Sequence, residues 1–454
     1  MRRRGTLFAA LGAALAWVAV LPASASAHGI SGKETLGIPR YVFAWGASVV
    51  LVLSFVALAA LWSRPILEHP RERLVARLPR VADPICGAIG IAVFAIAVYA
   101  GLAGEQTDLQ HNLLPVVLYV HFWVGLAIVS VFLGDVFRAF NPWRALARGA
   151  AAAGRAIGVR FQPPLAYPGR LGRWPAALGI VVFAAVELVY SADVTPRGLA
   201  VLAIVYAVFQ LLGMAAFGID RWSDRADPFG VYFGLFARLS PLRWERARLW
   251  VRTPLSGLTG LTAIPGTAAV VCVMIGSTSF DGLENTSTWR SAFTDPTQLG
   301  RLAGLLVMVT LIYSVYRLGT YGMRTVGRHR QSGYLAGRFA HSLVPIALAY
   351  VVAHYFSLLA TSGQDLGYLI SDPLGKGSDL FGTADWTTNL GLVSTTAVWL
   401  VQVCALVVGH VSGLAAAHDR ALVMYDGKAA AQSQYWMLAV MVGFTCLGLW
   451  LLSA

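Results

Sequence analysis

The chain has 454 residues, of which 57% are hydrophobic and 13% charged, with a mean hydropathy of +0.65. That composition excludes an ordinary soluble globule and implies an all-α, polytopic membrane protein. The formal net charge of +13 would suit nucleic acid in a soluble protein, but here the arginines fall in loops between apolar runs. The expected partner is therefore the lipid bilayer, with another membrane protein as a further candidate, and not nucleic acid.

In chain order, the N-terminus has the three parts of a secretory signal: Arg2 to Arg4, the apolar stretch LFAALGAALAWVAVLP, and Ala23-Ser24-Ala25-Ser26-Ala27. Residues 1–27 are thus read as a signal peptide and residues 28–454 as a single membrane domain. Cleavage after Ala27 makes His28 the first mature residue, whose α-amino group and imidazole form a chelating pair suited to copper(II). The plainer reading is that His28 is only where the signal ends.

Against a requirement of about 20 residues per span, apolar segments fall at 43–63, 85–104, 113–135, 175–192, 198–218, 257–277, 303–323, 340–362, 391–417 and 435–453. About ten transmembrane helices follow the signal. With the mature N-terminus outside, the inner loops hold most arginines, among them Arg71, Arg144, Arg148, Arg160, Arg243 and Arg328. The outer loops hold only Arg197, Arg290, Arg301 and Lys376. This asymmetry predicts a plasma-membrane protein with both termini external.

Two inner loops resemble each other and suggest a weak internal repeat over 113–254. GDVFRAFNPWRALARGA follows the third span and GIDRWSDRADPFGVYFGLFARLSP the fifth, each with Asn or Asp before Pro and an aromatic residue. An Asx-Pro pair opens a turn, and the basic runs that follow are read as interfacial helices. The outer segments Ser279–Asn285 and Gln364–Asn389 are Gly-rich and acidic, and are read as loops that lid a site or merely connect spans. Cys86, Cys272, Cys404 and Cys446 stand singly in apolar segments, which favours buried thiols over disulfides.

Histidines and carboxylates inside apolar spans are costly, which makes each a candidate site residue, although a buried His also serves to bond a carbonyl between helices. At about 1.5 Å of rise per residue, His121, Glu187 and His354 reach the outer half of the bilayer, and His28 and His111 approach from outside. These five are the expected ligands of a transition metal, copper or zinc. An inner group comprises Arg317, His341, His410 and His418. Haem is the less favoured cofactor, because His341 and His354 are thirteen residues apart and face different sides of one helix.

The mature start AHGISGKETLGIPRYVFAWGASVVLVLSFVALAALW, the segment FAHSLVPIALAYVVAHYFSLL, the loop SDPLGKGSDLFGT and the ending GHVSGLAAAHDRAL resemble a family of actinobacterial polytopic membrane proteins commonly labelled fenitrothion hydrolase. The resemblance implies hydrolysis of an organophosphate triester, with a metal-activated hydroxide as the natural nucleophile. The chain has no HxH pair of the barrel-type phosphotriesterases and no GxSxG elbow. Three function classes stay open: copper handling or redox at an outer metal site, metal-dependent triester hydrolysis, and a structural or assembly role in a membrane complex.

Overall fold

The computed structural model describes residues 40–79, 81–190, 194–245, 247–294, 296–326, 332–426 and 428–453; the expected signal segment and His28 lie outside them. Helix α1 (Arg40–Leu61) leads to strand β1 (Arg73–Arg77), α2 (Ala82–Ala103) and α3 (Leu113–Leu133). Two helices, α4 (Val136–Phe140) and α5 (Pro142–Ala156), precede α6 (Trp174–Val189) and α7 (Pro196–Phe217). After α8 (Ile219–Arg225) and α9 (Pro228–Phe236) come β2 (Leu242–Glu245), β3 (Arg248–Val251), α10 (Ser256–Thr259), α11 (Thr267–Glu284) and α12 (Ser287–Ala292). The chain continues through α13 (Gln298–Gly322), α14 (Ser332–Phe339), α15 (Val344–Thr361), α16 (Leu366–Leu369), α17 (Thr395–Met424) and α18 (Lys428–Ser453).

Among the described residues, seven helical stretches are long and apolar enough to cross a membrane: α2, α3, α7, α13, the Gly333–Leu369 stretch that contains α15, α17 and α18. Trp45–Leu61 and Trp174–Val189 are shorter apolar helices. The span expected at 257–277 is displaced. Its first part forms the one-turn α10 and a turn ending at Gly266 (φ 82°), and the long helix begins only at Thr267 and runs to Glu284. A residue at that positive φ favours glycine and resets the chain direction there.

The chain divides into two compact units. The terminal unit comprises Met1–Arg71, Leu255–Phe356 and Ser394–Ala454, and the central unit Glu72–Pro254 and Ser357–Val393. In the terminal unit small residues let helices approach. A Cβ on Gly409 of α17 would stand 2.7 Å from the Pro345 carbonyl of α15, and one on Gly413 would stand 2.6 Å from that of Ser342. Leu51, Val442 and Cys446 form part of its buried core.

In the central unit, Ala97, Val98, Leu114, Leu199 and Ala200 of α2, α3 and α7 form a buried apolar cluster. A three-stranded antiparallel sheet, ordered β1-β3-β2, lies in what the sequence reads as inner loops. The two similar loops, which the sequence reads as inner, do share one local design. Gly134 (φ 85°) and Gly218 (φ 93°) end α3 and α7, a short helix follows, and Asn141 (φ −63°, ψ 114°) and Asp227 (φ −68°, ψ 110°) cap helices that begin at Pro142 and Pro228. An extended cap before a Pro at the first helical position is a helix start.

Their second helices differ. α5 is amphipathic, whereas α9, PFGVYFGLF, buries Phe229, Val231, Tyr232, Phe233, Leu235 and Phe236, so it is a core helix and not the expected interfacial one. Apolar residues on every side leave it no polar face to lie on water. The segment Ser279–Glu284, expected as a loop, is the last part of α11. The four cysteines are unpaired, with Cys272 and Cys446 buried as expected and Cys404 exposed.

Candidate functional site

The C-terminal turns of α11 are buried through Phe280, and their hydroxyls are satisfied within the helix. Ser277 and Thr278 donate to the Met274 carbonyl (3.4 and 3.1 Å), and Ser279 donates to that of Ile275 (2.8 Å). Back-bonding of this kind lets polar residues sit inside a buried helix. Asp281 is thereby carried against α15, where His354 Nε2 lies 2.9 Å from its Oδ2 and the Tyr355 hydroxyl donates to the same oxygen at 2.8 Å. One turn on, Glu284 accepts from Arg301 of α13 at 2.7 and 3.1 Å. Each acid at this end of α11 therefore has a cationic or titratable partner, as the cost of a carboxylate in an apolar setting demands.

His354 also lines a cavity of about 20 Å³, together with Thr278, Gly282, Tyr350, Leu406 and Gly448. That is room for about one water. Its Nδ1 faces Gly282, 3.8 Å from where a Cβ on that residue would stand. With Nε2 directed at a carboxylate, the neutral ring carries its proton there and leaves the Nδ1 lone pair free to accept a proton or bind a metal. Sequence reasoning singled out His354 but missed Asp281, having read Ser279–Asn285 as a loop. The signal was there: extended helically, FDGLE puts Asp281 and Glu284 on one face.

The other expected outer ligands have different surroundings. His111 is exposed, with Nδ1 2.8 Å from Asp108. His121 directs Nδ1 at the Val116 carbonyl (3.3 Å) and Nε2 at that of Gly363 (3.1 Å). It sits in a π-helical stretch, Val116–Gly125, and Glu187 sits in another, Ala185–Val189, within electrostatic reach of Tyr119 and Tyr232. π-Turns recur at functional positions. His111, His121 and His354 each bond a group outside the expected ligand set, and among the described residues no group of three or more His, Cys, Asp or Glu side chains could hold a metal.

Part of the polar group expected on the inner side forms a clasp in the terminal unit. Asp419 is fully buried and accepts from Trp62 Nε1 (2.9 Å) and from the backbone N–H groups of Ile66 (2.6 Å) and Glu68 (2.9 Å). Its neighbour His418 meets the Trp62 carbonyl at 3.1 Å, and Arg420 pairs with Glu68 while donating to the carbonyls of Thr259 (2.7 Å) and Arg338 (3.3 Å). His341 lies between the carbonyls of Arg338 (3.0 Å) and Ala416 (3.2 Å). His410 bonds the Leu406 carbonyl at 2.7 Å, and Arg317 lies 3.4 Å from the Tyr313 hydroxyl. His341 and His418 thus bond carbonyls of other elements, the plainer of their two expected roles, whereas His410 bonds a carbonyl of its own helix.

A second buried carboxylate, unforeseen in the sequence, organises the central unit. Asp227 accepts from Asn141 Nδ2 (3.1 Å), Trp143 Nε1 (2.9 Å) and the Tyr206 hydroxyl (2.7 Å), so the two Asx-Pro turns bond each other directly. Burial pushes its carboxyl above the usual range, and the donors from Trp143 and Tyr206 pull the other way. At Asp220, burial is outweighed by the bond and charge of Arg144, with Arg138 and Arg148 adding to it, and the carboxyl is held low. Compared with protein-family models, curated proteins and solved structures, the chain matches none.

Proposed function

We propose that the chain is a ten-span plasma-membrane protein, with both termini outside, whose working group is the His354 imidazole in the outer half of the bilayer. The observation that carries this is the 2.9 Å contact of His354 with Asp281 on the wall of a water-sized cavity. Asp281 fixes the ring tautomer and stabilises the imidazolium, so Nδ1 is poised to accept a proton from whatever occupies the cavity. The resemblance to fenitrothion hydrolases gives such a base one reaction, activation of a water that attacks a phosphotriester.

Copper handling is the second reading, because an imidazole whose far nitrogen faces a carboxylate is also the arrangement of metal-bound histidine. Further donors would come from the mature amino terminus at His28. The test is histidine NMR and metal analysis of purified wild-type, His354→Ala and Asp281→Asn proteins. The base reading expects a His354 resonance that titrates, with a midpoint displaced in Asp281→Asn. Stoichiometric copper lost in His354→Ala would favour the metal reading. A His354 that neither titrates nor binds metal would overturn both and leave an assembly role.

A further inference from the structure

The positively charged inner surface of the central unit is not uniform. On α5, Arg144 bonds Asp220 at 2.8 Å, and Arg148 reaches Asp83 at 3.4 Å. Those arginines serve the protein's own carboxylates. From the last turn of the helix onward, along residues 155–170, the situation reverses: Arg155, Arg160 and Arg170 are exposed and have no ion-pair partner among the described residues. Between them Ile157 (79% exposed), Val159, Phe161 and Leu165 also face outward.

This strip is held at a defined level. The Leu165 N–H donates to the Ala216 carbonyl at 3.0 Å, in the last turn of α7. Pro163 lies 3.1 Å from where a Cβ on Gly218 would stand. The Tyr167 ring packs edge-on to Phe217 at 5.5 Å, and its hydroxyl donates to the Gly172 carbonyl at 2.7 Å, just before Trp174 opens α6. The strip therefore runs where one apolar helix ends and another begins, which in a bilayer is the headgroup layer. Apolar side chains beside cations at that depth match acyl chains next to phosphate.

We infer that residues 155–165 form a strap that binds acidic phospholipid headgroups of the bilayer in which the chain sits. Ile157, Val159, Phe161 and Leu165 dip toward the acyl region, and Arg155 and Arg160 take the phosphates. The partner is lipid, because the strip's depth already places it against headgroups and its cations have no acid of their own.

The test uses the full chain in nanodiscs of phosphatidylcholine, alone or mixed with phosphatidylglycerol, with a nitroxide on Phe161→Cys in a background whose native cysteines are replaced by Ala. Oxygen and a water-soluble nickel complex report depth. In the mixed discs the oxygen-to-nickel accessibility ratio should rise several-fold over phosphatidylcholine alone, and Arg155→Glu/Arg160→Glu should abolish the rise. Melting temperatures of the label-free protein in both discs give a second readout: phosphatidylglycerol should raise the wild-type value and leave the double variant unchanged. A label equally open to nickel in both discs would overturn the proposal in favour of a solvated loop. One shielded from both reagents in either lipid would overturn it in favour of a protein contact.

Discussion

Arg420 has a side chain 2% exposed and pairs with Glu68, itself 16% exposed. Truncating one member of a buried pair leaves the other charged and unsatisfied, so Arg420→Ala should cost about 3–5 kcal/mol in thermal unfolding. The double variant Arg420→Met/Glu68→Gln should recover part of that. At Asp227 the test is subtler, since all three side-chain partners are donors. Asp227→Asn turns one acceptor into a donor facing a donor, and should cost about 1–3 kcal/mol. Because burial raises the carboxyl of Asp227, its contribution should be most favourable below the ordinary aspartate range and decline as pH rises through the elevated folded value. Single residues were only half legible in the sequence. The cost of His354 in an apolar span was plain, but Asp281 was hidden because Gly282 and the acids around it imitate a loop, whereas the helix is buried through Phe280 and its Ser277 to Ser279 hydroxyls are satisfied within it.

Close packing of helices allows a matched test on two glycines. A Cβ on Gly90 of α2 would fall 1.8 Å from the Phe140 carbonyl at the end of α4, whereas one on Gly149 of α5 meets nothing within 4 Å. Gly90→Ala should therefore destabilise by about 1–3 kcal/mol through forced separation of backbones. Gly149→Ala should stabilise by about 0.5–1 kcal/mol through helix propensity. Thermal melts of the two variants side by side check both signs. The loop after α2 carries a pH response. Glu105 accepts from the Thr107 hydroxyl and from the N–H groups of Thr107 and Gln106, and these bonds lower its pKa from 4.5 to about 2. A depressed carboxyl contributes above its unfolded pKa and loses that contribution as pH falls from about 4.5 through about 2. Amide exchange at Gln106 and Thr107 should accelerate across that window, and Glu105→Gln should remove the dependence. Long helices were the most legible elements, because twenty apolar residues leave few alternatives. The sheet β1-β3-β2 was not, since RLVAR and its partners lie among arginines that read as loop.

For the whole molecule, arginine asymmetry is the basis for topology, and a reporter fused after Ala454 should read as external. A cytoplasmic signal would mean a miscounted span. The loop similarity that was faint in the sequence becomes concrete at Asn141 and Asp227, whose dihedral angles agree and whose side chains bond. It extends no further than the turns, because α5 directs Arg144 and Arg148 at acids while α9 is buried. The division into units was not legible, because hydropathy shows where a helix runs and not which distant helix it meets. That division bears on how the chain is made. Trp62 and Asp419 are 357 residues apart, and at about 5–20 residues per second the first of them waits roughly 20–70 s for the second to be synthesised. The central unit, continuous from Glu72 to Pro254 apart from its later segment, has most of its partners much sooner. Ribosome-stalled chains ending before Ser394 should then leave α1 and the loop to Glu68 open to protease and in need of a chaperone or insertase, while α2 to α7 are already protected.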